Sequence, residues 1–452
     1  LQTHASPAFV PTHALTHADS VIFARWIIPI TPANRVLEHH ALVITQGRIV
    51  ALLPAAEAAQ IDADQVFHLH EHALLPGLVN AHGHAAMSLL RGYADDLPLH
   101  SWLNEHIWPI EGKWVSEDFV RDGTRLAIAE MLRSGTTCFA DMYFFPNIVA
   151  QTAHELGMRA QIYFPVFDFA TAWGQNADDY IHKGLQLRDD FKHSALISVG
   201  FGPHAPYTVS DAPLNRVAVL AAELDAAIQI HVHETQHEVD DAIAIHGDRP
   251  LARLHRLGLL GPRTTCVHAT ALNADDIELL VRNNCHVVHC PESNLKLASG
   301  FCPVQQLLDV GVNVALGSDG AASNNDLDLF AELRIAAMLA KAVSGNAAAL
   351  PAHAALEMAT LNGAKALGLE EQIGSLEIGK LADVIAIDMS DIETQPLFNP
   401  LSQLVYTNSG SRVSHSWING ALMLENRQPT TLNLQDLSAN ALAWQRKIAT
   451  KI

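Results

Sequence analysis

Apolar and polar positions divide this chain into three zones. From about Ala18 to Leu74, short apolar runs alternate with polar residues in DSVIFARWIIPI, ALVITQGRIVALLP and VFHLHEHAL, with a turn at Gly47. That text predicts strands. From about Leu75 to Leu369, short apolar runs such as GTTCFADMYF, MRAQIYFPVFDF, ALISVGFGPH, AIQIHVHE, TTCVHAT, HVVHCPESN and VNVALGSDG alternate with longer amphipathic stretches. SEDFVRDGTRLAIAEMLRSG and APLNRVAVLAAELDA are two that predict helices. Strand–helix alternation sustained this long is the pattern of a (β/α)₈ TIM-type barrel, with a doubly wound open sheet as the structural alternative. Near Gly374 the strand-like text returns, in GSLEIGKLADVIAIDMS and VSHSWINGALMLENRQP. Strands before and after the barrel can pair, so the reading is a barrel over 75–371 and a small β-sandwich domain built from 1–74 and 372–452.

Composition agrees with this picture. A chain of 452 residues, 49% hydrophobic and 17% charged, is globular with a large core. A formal charge of -20 repels nucleic-acid backbones, so no nucleic-acid partner is expected. No apolar run is long enough to span a membrane. The first twenty residues lack the basic and apolar regions of a secretory signal and read as a lead-in. Five cysteines, odd in number and without a CxxC, read as reduced, mostly buried thiols of a cytoplasmic protein. The 26 histidines are an excess that points toward metal chemistry.

Four stretches carry that chemistry. In LPGLVNAHGHAAMSLLRG, His82 and His84 are two apart, which on a strand puts both rings on one face, and Gly83 leaves room for a close approach. HxH also occurs at His68–His70 and His231–His233, so the pair alone is weak. In IQIHVHETQHE a strand ends near His231, and Glu234 follows. A metal-bound water beside a carboxylate is what hydrolysis requires. Periodicity does not choose between His231 and His233, and Glu234 could simply favour a helix N-terminus. TTCVHAT places His268 at a strand end. VNVALGSDGAASNN places Asp319 after a buried strand, where a carboxylate is costly unless paired or metal-bound; its ordinary reading is a helix N-cap. All four lie at strand C-termini of one barrel, where barrel enzymes build their sites.

With these residues assembled, the chain resembles the amidohydrolase superfamily, and within it the 5′-methylthioadenosine/S-adenosylhomocysteine deaminases. LPGLVNAHGHAAMSLLRGYADDLPLHSWL, GFGPHAPYTVS, PESNLKLASG and GSDGAASNNDLDLF carry the likeness, which covers nearly the whole chain. The resemblance implies zinc-dependent hydrolytic removal of the 6-amino group of an adenosine-type nucleoside. His82, His84, His231 and Asp319 match the metal ligands, and the HxxE pattern favours His231 over His233. Glu234 matches the acid/base and His268 the histidine that assists the attacking water. Glu111 in WPIEGKW matches the carboxylate on the ribose hydroxyls, and His204 in GPHAPY a substrate-contacting histidine. Asp319 takes part in catalysis as well as in metal binding. The class also suggests a homo-oligomer, which no residue here supports.

Two departures bear on the expectation. Some members carry an Arg in or shortly after the strand that follows GMRA, and after Arg159 none occurs in GMRAQIYFPVFDFATAWGQNADDY. That favours methylthioadenosine or adenosine over the long charged tail of S-adenosylhomocysteine. Phe164, Phe167, Phe169 and Trp173 are candidates to line the 5′ pocket, with core packing the alternative for at least two. Binuclear relatives bridge two metals with a carboxylated Lys on the same strand; none occurs there, so the resemblance implies one metal ion, by default Zn²⁺, with Fe²⁺ or Mn²⁺ able to use the same ligands.

Rival functions are a guanine or cytosine deaminase, or a triazine chlorohydrolase, all with the same ligand set. The zinc deaminases with HxE and PCxxC are excluded, since neither string occurs. GFGPHA fits a GxGxxA dinucleotide pattern, but Pro203 and Pro206 crowd the helix start. A barrel without activity is disfavoured because every catalytic position holds a competent residue.

Overall fold

The structure is a computed structural model and describes residues 15–449; most of the expected N-terminal lead-in lies outside the described residues. Four strands come first among the described residues: β1 (His17–Ile27), β2 (Leu37–Thr45), β3 (Arg48–Pro54) and β4 (Asp62–Pro76). Eight short strands follow: β5 (Leu78–Asn80), β6 (Thr136–Asp141), β7 (Arg159–Val166), β8 (Ile197–Pro203), β9 (Ile228–Val232), β10 (Thr264–His268), β11 (His286–His289) and β12 (Asn313–Leu316). Four more come last: β13 (Val384–Asp388), β14 (Val413–Ile418), β15 (Ala421–Glu425) and β16 (Gln428–Pro429).

Strands β5 to β12 pair in sequence order, each parallel to the next. The two edges meet beyond the strand ends. Ala81 N donates to Leu316 O at 2.9 Å, Asp319 N donates to His82 O at 3.2 Å, and Gly83 bridges Asp319 in parallel. An open doubly wound sheet is thereby excluded. Helix Leu361–Ala366 closes one end, packing Ala364 with Val79, Cys138, Ala140 and Tyr163. The tight approach falls at Gly317 rather than at Gly83. A Cβ on Gly317 would lie 2.8 Å from His82 O, whereas one on Gly83 would meet Asp319 O at an ordinary 3.4 Å.

The second sheet is mixed and joins both ends of the chain, in the order β16-β15-β14-β13-β4-β1-β2-β3. Its seam is the antiparallel β4–β13 pair, with Leu74 opposite Ala386 and Pro76 opposite Val384. Gln46 and Gly47 both take positive φ at the β2–β3 turn, as a two-residue hairpin requires. The first barrel strand is shorter than LLPGLVNAH suggests. Leu74, Leu75 and Pro76 stay in the mixed sheet, and the chain passes from one sheet to the other at Gly77.

Helix Glu117–Ser134 forms where SEDFVRDGTRLAIAEMLRSG reads as one. Ser116 caps it by accepting from Phe119 N, Glu117 and Asp118 favour its N-terminus, and Gly135 ends it at φ 95°. A terminal helix, Leu434–Ala449, is not anticipated by the strand-and-turn reading of the last zone. It buries Leu437, Trp444 and Ile448, and Trp444 Nε1 donates to Asp122 Oδ2 at 2.8 Å. All five cysteines are free and buried. Among the described residues, no helix is long and apolar enough to cross a membrane.

Candidate active site

At the C-terminal end of the barrel, His82 and His84 follow β5, His231 lies within β9, His268 ends β10 and Asp319 follows β12. Their side chains converge. His231 Nε2 lies 3.1 Å from His82 Nε2, and Asp319 Oδ1 lies 3.4 Å from His82 Nε2 and 3.1 Å from His84 Nε2. His82, His84 and Asp319 form one cluster with metal-holding spacing; His82, His231 and His268 form a second that shares His82.

Backbone and amide oxygens fix the rings. His84 Nδ1 donates to Met142 O at 2.6 Å and His231 Nδ1 to His204 O at 2.8 Å. His82 Nδ1 donates to Gln229 Oε1 at 2.7 Å, while Gln229 Nε2 is held by Ala81 O at 2.9 Å. A carbonyl only accepts, so Nδ1 of each ring carries a proton. On His82 and His231, which burial keeps neutral, Nε2 then presents a lone pair. At His84 the Asp319 carboxylate outweighs burial and raises the ring to about 9, so without a cation its Nε2 holds a proton toward Asp319. Burial keeps His231 well below the usual imidazole range and lowers His82 to about 4. The bare Nε2 atoms of His82 and His231, 3.1 Å apart, repel unless a cation lies between them, and such a cation would displace the His84 proton. The donor set of three imidazoles and one carboxylate therefore fits a divalent metal, with outer partners that orient each ligand. Asp319 is itself held: its Oδ2 accepts from Ser293 Oγ at 2.6 Å and Ser323 Oγ at 2.9 Å.

Glu234 stands beside this centre and is buried. Burial, then the Asp319 charge, pushes its pKa up to about 8, so it carries a proton near neutrality. Its Oε1 accepts from Ser299 Oγ at 3.2 Å, and its Oε2 lies 3.7 Å from His268 Nε2. The helix-terminus role belongs instead to Glu238, whose carboxylate accepts from the backbone of His233 and Glu234. His268 Nδ1 donates to Asn294 Oδ1 at 2.9 Å, which leaves Nε2 toward the cavity. His268 and Asp319 both hold positive φ, 72° and 57°, a strained backbone typical of functional positions.

Glu111, His204, Tyr143, Phe167 and Tyr207 line the adjoining cavity. Tyr143 OH donates to Glu111 Oε1 at 2.7 Å, and burial raises Glu111 to about 7. His204 rests against Phe167, with ring centroids 4.8 Å apart, and burial lowers its pKa to about 3. Among the four aromatic candidates, Phe167 faces this cavity and Phe169 the groove beside it, whereas Phe164 is fully buried core. Trp173 is buried and packs on Tyr180. His82, His84, Glu111, His204, His231, Glu234, His268 and Asp319 thus lie at this mouth, whereas Phe164 and Trp173 do not line it. Gln229, Ser293, Asn294, Ser299 and Met142 went unread. GFGPHA forms the end of β8 and a loop; the next helix starts only at Asp211, so no helix N-terminus meets a phosphate there.

The amidohydrolase family model matches residues 73–423. The chain belongs to the amidohydrolase family. Within it the chain stands beside a 5-methylthioadenosine/S-adenosylhomocysteine deaminase of Teredinibacter turnerae, 56% identical over 96% of this chain and 99% of that one. A 5′-deoxyadenosine deaminase of Methanococcoides burtonii is 40% identical over 94% of this chain and 96% of its own. The crystal structure of an adenosine deaminase from Xanthomonas campestris with bound zinc superposes with a TM-score of 0.94 at 48% identity, covering 96% and 99% of the two chains.

Proposed function

We propose that this protein hydrolytically deaminates an adenosine-type nucleoside to the inosine-type product and ammonia. His82, His84, His231 and Asp319 would hold one zinc ion. Bound there, zinc lowers the pKa of a coordinated water toward neutrality. The observation that carries this reading is the convergence of His82, His84, His231 and Asp319 on one centre, with the buried carboxyl of Glu234 and the His268 ring beside it. The relatives' names support an adenosine-type substrate.

His268 Nε2 and Asp319 orient the attacking water and take its proton. The hydroxyl adds to carbon 6 of the purine, and Glu234 gives its proton to ring nitrogen 1, so no charge builds up on the ring. The proton taken from the water passes to the amino group, which leaves as ammonia while carbon 6 becomes a carbonyl and its hydroxyl proton returns to Glu234. Glu111, fixed by Tyr143, holds the ribose hydroxyls, and His204 contacts the substrate. The chemistry would belong to residues 75–371, with 1–74 and 372–452 forming the other unit, in a cytoplasmic protein.

Replacing Glu234 with Gln tests this. Zinc content should persist while turnover of adenosine or methylthioadenosine falls about a thousandfold. Near-normal turnover would remove Glu234 from the mechanism. Ammonia release from guanine or cytosine, and none from the nucleosides, would favour the rival deaminases.

A further inference from the structure

Glu111 reaches the cavity from a segment, Leu99–Trp114, that is helical throughout but not uniform. Leu99–Ser101 and Trp108–Trp114 are α-helical, and the stretch between them, Trp102–Ile107, is a wide π turn. There Trp108 N donates to Leu103 O, five residues back instead of four. The cause lies in the sequence. Pro109 has no N–H to offer Glu105 O, and in a continuous α-helix its ring would collide with that carbonyl. The wide turn removes the conflict by taking up one extra residue before the proline. Buried Trp102 and Ile107 fasten the turn to the core, while Asn104, Glu105 and Pro109 are exposed.

That extra residue decides which side chains meet the cavity. An α-helix turns about 100° per residue, so Glu111, twelve positions after Leu99, would stand about 120° from it, and Trp108, nine positions after, about 180°. One residue absorbed in the wide turn brings Glu111 to within about 20° of Leu99 and Trp108 to about 80°. Leu99, Leu103, Trp108 and Glu111 accordingly line one cavity. The Glu111 carboxyl is buried there, where Tyr143 OH meets its Oε1 at 2.7 Å. Ile110, which a continuous α-helix would aim where Glu111 now points, packs in the core instead.

We propose that Pro109 is a positioning residue for ribose recognition: by imposing the wide turn, it aims Glu111 into the cavity. Exposed itself, Pro109 acts only through the helix that carries Glu111. Without the proline, the N–H of residue 109 satisfies Glu105 O, the segment closes into a plain α-helix, and Glu111 turns away by about 100°. The proposal rests on the reading that Glu111 holds the ribose hydroxyls of an adenosine-type substrate.

The test uses the zinc-loaded protein and compares kcat/KM for adenosine with that for 2′,3′-dideoxyadenosine, which lacks both ribose hydroxyls. Pro109→Ala should lose about tenfold or more of the preference for adenosine, chiefly through KM and with zinc retained, and Glu111→Ala should do the same. Removing Glu105 from the Pro109→Ala protein takes out the extra residue, so the two flanks regain their relation within a plain α-helix. The preference for adenosine should then return. A helix that was merely destabilised would not be repaired by a further deletion. If Glu111→Ala loses the preference and Pro109→Ala keeps it, or if the deletion restores nothing, the proposal alone is overturned. If Glu111→Ala keeps the preference, Glu111 does not hold the ribose and the proposal falls with that role. Absence of turnover in the wild type overturns the deaminase reading, and the proposal with it.

Discussion

His82-Gly83-His84 and His231-Val232-His233 are the same three-residue spacing at the ends of two barrel strands, and they end differently. The first sends both rings into the cavity. The second sends in His231 and turns His233 away, where its Nδ1 donates to Ala271 O at 3.0 Å and its Nε2 accepts from Leu251 N at 3.1 Å. Two-residue periodicity holds only while the backbone stays extended. Strand β9 ends at Val232, and His233 takes φ 56°, which swings its side chain out of register. After β5 the chain stays near the strand path, with His84 at φ -131°, because Gly83 and Asp319 still bridge. A spacing therefore identifies ligands only together with the point where the strand stops.

The sharpest way to break this comparison is to truncate the two second-pair rings separately. His231→Ala should lose zinc, read by elemental analysis, and reduce turnover by more than about a thousandfold, since three donors then face the ion. A variant that keeps zinc and rate would place the metal elsewhere.

A smaller effect should follow from Glu332, which sits fully buried on helix Leu329–Ser344. It accepts from Glu292 N at 3.1 Å and from Asn324 Nδ2 at 2.5 Å, and Asn324 in turn donates to Ser318 O at 2.9 Å. One carboxyl group thus ties the short helix Pro291–Lys296, which bears Ser293 and Asn294, to the loop bearing Asp319. Glu332→Ala should lower kcat about 10- to 100-fold with KM less affected, and Glu332→Gln should recover part of it. An equal loss in both variants would point to misfolding rather than positioning.

Much of this was legible in the sequence, and the reasons for the gaps are physical. Short apolar runs ending in His or Asp marked the strand tips, because a polar group at the end of a buried strand needs a partner. The partners themselves were not legible: Gln229 is 147 residues from His82, and Ser293 is 26 from Asp319, each on a different element. Gly317 looked like any loop glycine, since its need for a missing Cβ comes from His82 across the closing seam. The terminal helix was hidden by sparse patterning, with only Leu437, Trp444 and Ile448 buried in Leu434–Ala449. A spacing of seven and then four between those residues was the available signal.

The other half of the second pair predicts a change of stability rather than of chemistry. His233→Ala should keep zinc but lose about 3 kcal/mol, because Leu251 N and Ala271 O lose their partner and a buried ring leaves a cavity. Denaturant unfolding of the zinc-loaded protein measures this. Loss of zinc with stability unchanged would make His233 a ligand after all and erase the contrast with His231.

The smallest expected effect concerns a buried histidine that has no metal to hold. His415, on β14 in the mixed sheet, stacks on Trp417 with centroids 5.8 Å apart and meets His72 edge-on at 6.3 Å. Burial, then the His72 charge, lowers its pKa to about 4. The unfolded chain therefore takes up a proton near pH 6.5 that the folded chain refuses until about pH 4. Stability from this group is complete above about pH 6.5 and is lost as pH falls toward 4, reaching about 2 kcal/mol of loss at pH 5. Metal release also destabilises the protein in acid, but equally in both proteins when the wild type is compared with His415→Leu. The gap in unfolding free energy between them should thus shift by about 2 kcal/mol in favour of the variant between pH 8 and pH 5. A gap that does not move with pH would mean that His415 titrates normally. Burial alone would then not hold a histidine neutral in this fold, and the neutral state of His82 and His231 would have to come from the metal instead.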